Sequence, residues 1–334
     1  MALACQQDEK LRFLPMRVSI SSFNRRSPGH CAALLLALCA LFCGASELAA
    51  RYVFPRISRV RHRVEIERRA AVRLRGTAAR PAMLVVGNSL FERGINIPVL
   101  QQELPGFTVQ RFVVSDTSFL DWYYGLRRIF AEGGKPRVVV LGLSTRNLLA
   151  QRIEGALSAN ILIRTSDVLR VGRDLHYDNT AVTNLYFENL SAFFGGSTQF
   201  RKWLLTGVIM PDLQQLAAGL KAKTPPLPAS AEVIAEAAPR LQMLNQLCAE
   251  NGVRLVFVVP PTGDQGADSD IPAVETAGGR ADVVVLVPIG PGELGPQYFS
   301  DGAHLTDAGA LKFTSALSSA LRRTLPYEVN ARLF

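Results

Sequence analysis

Residues 81–90 read PAMLVVGNSL, an apolar run that stops at Gly87-Asn88-Ser89. Met83 to Val86 do not alternate apolar with polar, so the strand predicted over Ala82 to Val86 is buried on both faces. Short apolar or β-branched runs recur at Phe107 to Val114, Arg137 to Leu141, Val253 to Val259 and Asp282 to Val287. Helical patterns fall at Pro98 to Leu104, Leu120 to Glu132, Ser166 to Arg173, Ala181 to Phe194, Asp212 to Lys221, Ala231 to Asn251 and Thr306 to Thr324. Strands alternating with helices predict an α/β fold: a flavodoxin-like, doubly wound parallel sheet of five strands in the order 2-1-3-4-5. Such sheets bind ligands beyond the carboxyl ends of their strands.

The third and fourth strands are more than 100 residues apart, from Ser144 to Gly252, which is too long for one crossover helix. A helical insert over about 150–230 is predicted, ending in the Pro-rich Lys223 to Pro228. Its aromatics, Tyr177, Tyr186, Phe187, Phe193, Phe194, Phe200 and Trp203, are expected in the core.

The formal charge of +9 is unevenly placed. Residues 1–50 carry five basic and three acidic side chains, residues 51–80 ten arginines and two glutamates, and residues 81–334 the remaining 22 basic and 23 acidic groups. The globular part is close to neutral, so the basic balance is no argument for nucleic acid, and no nucleic-acid partner is expected. Residues 31–46, CAALLLALCALFCGAS, are free of charge and follow five basic residues, so 1–50 reads as a basic region with a signal anchor or signal peptide. Over 51–80, Ile57, Val60, Val64, Ala71 and Leu74 fall on one stripe of an Arg-rich amphipathic stalk helix. That helix could lie on anionic lipid or pack its apolar edge on the domain at 81–334. Only Cys248 follows the N-terminal region, which excludes a disulfide within the globular part of one chain.

A serine needs a base, and only His176 and His304 follow residue 80. His304 stands in Ser300-Asp301-Gly302-Ala303-His304-Leu305, three residues after Asp301, a spacing at which a carboxylate can hold Nδ1 and leave Nε2 for a serine. Asp301 or Ser300 could instead cap the helix near Thr306. His176 carries no motif. Phosphate-loop, dinucleotide and His-Glu-x-x-His signatures are absent and histidines are few, so neither metal nor cofactor is expected.

Ser89 after the first strand, with Asp301 and His304 near the end, resembles the first and last signature blocks of the SGNH (GDSL-like) hydrolases. The resemblance spans about residues 81–325 and implies a catalytic triad of Ser89, Asp301 and His304. That family adds a glycine after the second strand and an asparagine in a Gly-x-Asn-Asp block after the third. Here the blocks read Val114-Ser115-Asp116-Thr117-Ser118 and Gly142-Leu143-Ser144-Thr145-Arg146-Asn147, and neither matches. Ser144 falls at the asparagine's place, with Asn147 three residues on, and backbone N–H groups of Ser89 and of Thr117 or Ser118 are the other oxyanion candidates.

The resemblance implies a serine esterase or deacylase acting on O-acyl esters of cell-envelope glycans or on a small ester. An O-acyltransferase of the same fold, or a non-catalytic membrane-anchored envelope protein, are the alternatives. Membrane lipid is the other expected partner, through the N-terminal segment and the Arg-rich helix; the sequence sets no oligomeric state. The arginines after the apolar run favour a cytoplasmic domain, the resemblance an extracytoplasmic, periplasmic one, and the latter is the expectation adopted. A C-terminal alkaline phosphatase fusion is therefore expected to be active; an inactive fusion places the domain in the cytoplasm.

Overall fold

A computed structural model describes residues 28–53, 56, 58–153, 157–196, 225–263 and 269–325. The chain divides into two units, Met1–Ser46 and Glu47–Phe334. Helix α1 spans Pro28–Leu48. Gly29–Val53 is, among the described residues, the one helical stretch long and apolar enough to cross a membrane, by length and composition.

The larger unit is built on β1 (Ala82–Gly87), β2 (Thr108–Val113), β3 (Val138–Gly142), β4 (Arg254–Val258) and β5 (Val284–Leu286). All neighbours are parallel and the order is β2-β1-β3-β4-β5, as the sequence predicts. Its helices in chain order are α2 (Arg59–Arg73), α3 (Ser89–Gly94), α4 (Ile97–Glu103), α5 (Phe119–Ala131), α6 (Thr145–Leu149), α7 (Ser158–Ile161), α8 (Val168–Asp174), α9 (Asn179–Leu190), α10 (Ser230–Glu250), α11 (Ile271–Arg280) and α12 (Asp307–Thr324). This is a doubly wound α/β fold, with helices α6 to α10 between β3 and β4.

Alternate residues of each strand face opposite sides, so the uninterrupted apolar runs feed two cores. Leu84, Val86, Leu141 and Phe257 pack under α2, α5, α10 and α11 with Trp122, Leu126 and Leu244. Met83, Val85, Val140 and Val258 pack under α3, α4 and α12 with Phe91, Phe313 and Leu317. Burying a side chain such as Phe313 contributes about 1.5–3 kcal/mol.

Several expectations need correction. β5 is shorter than Asp282 to Val287, because Asp282 sits in the left-handed region (φ 53°) as part of a turn. Helix α11 was not expected; its Pro272 stands in the first turn, where a missing N–H leaves no intrahelical bond unmade. The helix expected at Asp212 to Lys221 lies outside the described residues. On α2, Val60 is exposed, and the covered positions are Arg61, Val64, Glu67 and Ala71. Glu67 accepts from Arg111 Nε (3.0 Å) and Nη2 (2.7 Å) and from the Val113 N–H (3.0 Å), which satisfies an amide of the edge strand β2. The helix thus packs on the sheet's edge through a mixed seam of apolar and paired polar groups. Among the insert aromatics, Tyr186, Phe187, Phe193 and Phe194 are exposed rather than in the core.

Gly87 and Gly142 sit side by side at the carboxyl ends of β1 and β3. A Cβ on Gly87 would come within 2.6 Å of the Gly142 carbonyl oxygen, and one on Gly142 would collide with the Phe91 ring. The missing side chains let α3 begin directly after β1 and tuck Phe91 against the sheet. Gly142→Ala is expected to destabilise the protein by about 1–3 kcal/mol through overpacking, read as a lower thermal midpoint of the detergent-solubilised full chain. An unchanged midpoint contradicts the close approach.

Candidate active site

Asn88 joins β1 to α3 with extended backbone, and its side-chain oxygen accepts the Leu90 N–H at 3.0 Å as the helix N-cap. Ser89 is the first helical residue, so its backbone N–H is among those that a helix start leaves without an intrahelical acceptor.

His304 arrives from the other end of the chain on a folded loop. Phe299 bridges to Leu305, the Ser300 N–H donates to the His304 carbonyl at 2.8 Å, and Gly302 takes the positive φ (82°) the turn requires. Asp301 Oδ1 accepts the N–H groups of Ala303 (3.1 Å) and His304 (2.8 Å), while Oδ2 lies 2.8 Å from His304 Nδ1. His304 Nε2 is 2.9 Å from Ser89 Oγ. The cap of α12 is Thr306, whose hydroxyl accepts the Gly309 N–H at 3.3 Å, so neither Asp301 nor Ser300 is needed there.

The protonation follows from the bonds. Partial burial acts to raise the Asp301 pKa, but the His304 and Ala303 N–H bonds and the imidazole outweigh it and bring the pKa down to about 2. An ionised carboxylate only accepts, so Nδ1 carries the imidazole hydrogen and Nε2 offers its lone pair to the Ser89 hydroxyl. The Asp301 side chain is 47% exposed and that of His304 23%, so the pair stands at the rim of its cleft.

Both candidate oxyanion blocks reach this region in different ways. The Asn88 Nδ2 group donates to the Thr117 carbonyl (3.3 Å) and to Asn147 Oδ1 (3.0 Å). Backbone partners on both ends fix the Asn88 amide, which obliges Asn147 to present its oxygen inward. Ser144 Oγ donates to the same oxygen at 2.8 Å, and Ser144 is also the cap of α6. Asn147 Nδ2 is then the donor left for a ligand. The Thr117 hydroxyl donates to the Val114 carbonyl (2.6 Å) and accepts from Trp122 Nε1 (3.0 Å). Ser118 donates its N–H and hydroxyl to Asp121 (2.8 and 2.9 Å). Both are fully buried, and Asp116, at φ 58°, is the residue of that turn that lines the cleft.

The cleft holds about 680 Å³, bordered by Ser89, Asp116, Ser144, Asn147 and His304, with Arg146 and Arg152 also present. Asn88 was not singled out from the sequence; an N-cap residue adjoining the serine is the signal that was available. Trp122 is buried against Phe112 (5.5 Å between rings), a packing role. His176 is exposed between α8 and α9, outside the cleft lining. Burial pushes the Cys248 thiol up to about 12, which leaves it unreactive. No group of His, Cys, Asp and Glu that could hold a metal is found among the described residues.

No family model matches the chain, and a comparison with curated proteins finds no match. Among solved structures the chain is similar to TesA, at 14% identity and a TM-score of 0.37, over 73% of this chain and 99% of that one. So loose a likeness carries nothing about the site.

Asp301 has a folded pKa below the ordinary 3.8, so its contribution to holding the loop is complete above that value and is lost as the pH falls toward about 2. The Asp301 carboxyl carbon resonance is expected to titrate near 2; a midpoint near 3.8 contradicts the network.

Proposed function

We propose that this protein is an SGNH-type serine esterase that removes O-acyl groups from a polar carrier such as an envelope glycan. The observation that carries the proposal is the unbroken chain from Ser89 Oγ through His304 to Asp301, with bonds of 2.9 and 2.8 Å. In this reading His304 Nε2 takes the hydroxyl proton as Ser89 Oγ attacks the ester carbonyl. Asp301 keeps the imidazole in the required tautomer and stabilises the imidazolium that forms. The oxyanion accepts from Asn147 Nδ2 and the Ser89 N–H, and its collapse expels the alcohol with the proton returned by His304. Water then resolves the acyl-enzyme.

The lining favours a small acyl group on a polar carrier. Among the described lining residues, Asn88, Asp116, Ser144, Arg146, Asn147 and Arg152 outnumber the apolar Leu90, Ile153 and Ala303, the reverse of a pocket built for a long acyl chain.

The purified full chain is expected to release p-nitrophenol from p-nitrophenyl acetate, and Ser89→Ala to abolish release. Undiminished turnover in Ser89→Ala contradicts the proposal. Asn147→Ala is expected to lower kcat by about 10²–10³ with little change in KM, the effect of losing one oxyanion donor. A loss confined to KM assigns Asn147 to ground-state binding instead.

A further inference from the structure

The insert presents an apolar surface that no described part of the protein covers. Tyr186 (44% exposed), Phe187 (51%) and Leu190 (44%) lie on α9, and Phe193 (41%) and Phe194 (55%) on the helical turn at 192–196. The rings of Phe187 and Phe194 are 6.1 Å apart and those of Phe193 and Phe194 6.0 Å, so these three form one patch, and Leu190 stands three residues after Phe187 and four after Tyr186 on the same helix. A contiguous exposed apolar patch of this kind marks an interaction surface.

The chain's own connectivity identifies what it meets. Glu47 accepts from Ser191 Oγ (2.6 Å), the Ala192 N–H (2.9 Å), the Phe193 N–H (3.1 Å) and Arg51 Nε (2.6 Å). Arg51 Nη2 also donates to the Leu190 carbonyl at 3.0 Å. The patch is therefore pinned to Glu47, the residue that follows the charge-free run 31–46. Leu48, Tyr52 and Val53, next along the chain, are exposed as well. Gly29–Val53 is long enough to cross, but its charge-free part, 31–46, rises only about 24 Å as a helix against the ~30 Å hydrocarbon layer, so the charged Glu47 comes before a full span is complete. A short span draws the interface toward its ends, and aromatic side chains anchor that boundary. A carboxylate held by four donors is suited to such a place, because no hydrogen-bonding capacity of Glu47 is left unmet as water thins.

We propose that Tyr186, Phe187, Leu190, Phe193 and Phe194 form a lipid-docking surface, inserted at the headgroup–acyl boundary of the bilayer that receives the 31–46 segment. The insert then serves as a second membrane attachment, independent of the chemistry at Ser89. The proposal requires that the 31–46 segment lie in the bilayer, and its test reports on that separately.

The full chain is reconstituted in phosphatidylcholine–phosphatidylglycerol vesicles as the variants Phe194→Trp, Phe187→Trp and Leu36→Trp. Fluorescence is compared with that of the parent chain, which keeps Trp122 and Trp203, with and without lipids brominated near the headgroup end of the acyl chains. The expected result is blue-shifted emission from Phe194→Trp and Phe187→Trp, and a loss of intensity on bromination beyond that of the parent. Two exposed positions are used so that misfolding of one variant does not decide the matter. Quenching in Leu36→Trp alone overturns the docking surface while keeping the span. Blue-shifted but unquenched emission at 187 and 194 means that protein, whether residues 197–224 of this chain, another chain or a second copy, covers the patch, and also overturns it. No quenching at any of the three positions removes the bilayer from both.

Discussion

The hydrogen bond between Ser89 Oγ and His304 Nε2 joins residues 215 positions apart, and it depends on α3 and α12 sharing one side of the sheet. Phe91 and Phe313 meet edge to face at 6.2 Å, and the Asn96 N–H donates to Thr314 Oγ1 at 2.9 Å. Further out, the Glu103 carboxylate accepts from Ser315 and Ser318. Apolar burial brings α3 and α12 together, and these polar contacts, from the two ends of α4, fix how far α12 is slid along α4. The small residues at Gly87 and Gly142 complete the arrangement by letting α3 start close to the sheet.

The Arg-rich segment before β1 is wired into the same region. Arg63 on α2 pairs with Glu92 on α3, and Glu92 also accepts from Ser115 Oγ at 2.7 Å at the exit of β2. Burial acts to raise the Glu92 pKa, but the bonds from Arg63 and Ser115 outweigh it and hold the group below its usual range. One ionised carboxylate thus ties the segment before the fold, the helix that carries Ser89 and the turn that leads to Asp116. The arginines that give the chain its basic balance serve in part as internal partners, through Arg63 to Glu92, Arg68 to Glu132 and Glu65 to Arg69.

Much of the architecture was legible because the signals are local. Uninterrupted apolar strands, the serine at the end of the first and the Asp-x-x-His near the last helix can all be read within short windows. What escaped depends on contacts between distant residues or on context. Pro272, Gly278 and Gly279 look like helix breakers, yet Pro272 sits in the first turn of α11 and Gly278 packs where a Cβ would strike Val285. Glu67 reads as a polar interruption of the α2 stripe, although an edge-strand amide and Arg111 await it. The amide chain from Asn88 to Asn147 crosses 59 residues, and no spacing rule announces it. The exposed insert aromatics escaped because composition alone assigns such side chains to a core.

The account stands on Ser89 being made nucleophilic by His304, and active-site labelling with a fluorophosphonate tests this most directly. The full chain is predicted to gain one covalent adduct, mapped by mass spectrometry to Ser89, with labelling lost in His304→Ala. A folded protein that stays unlabelled, or whose labelling of Ser89 is indifferent to His304, would contradict it.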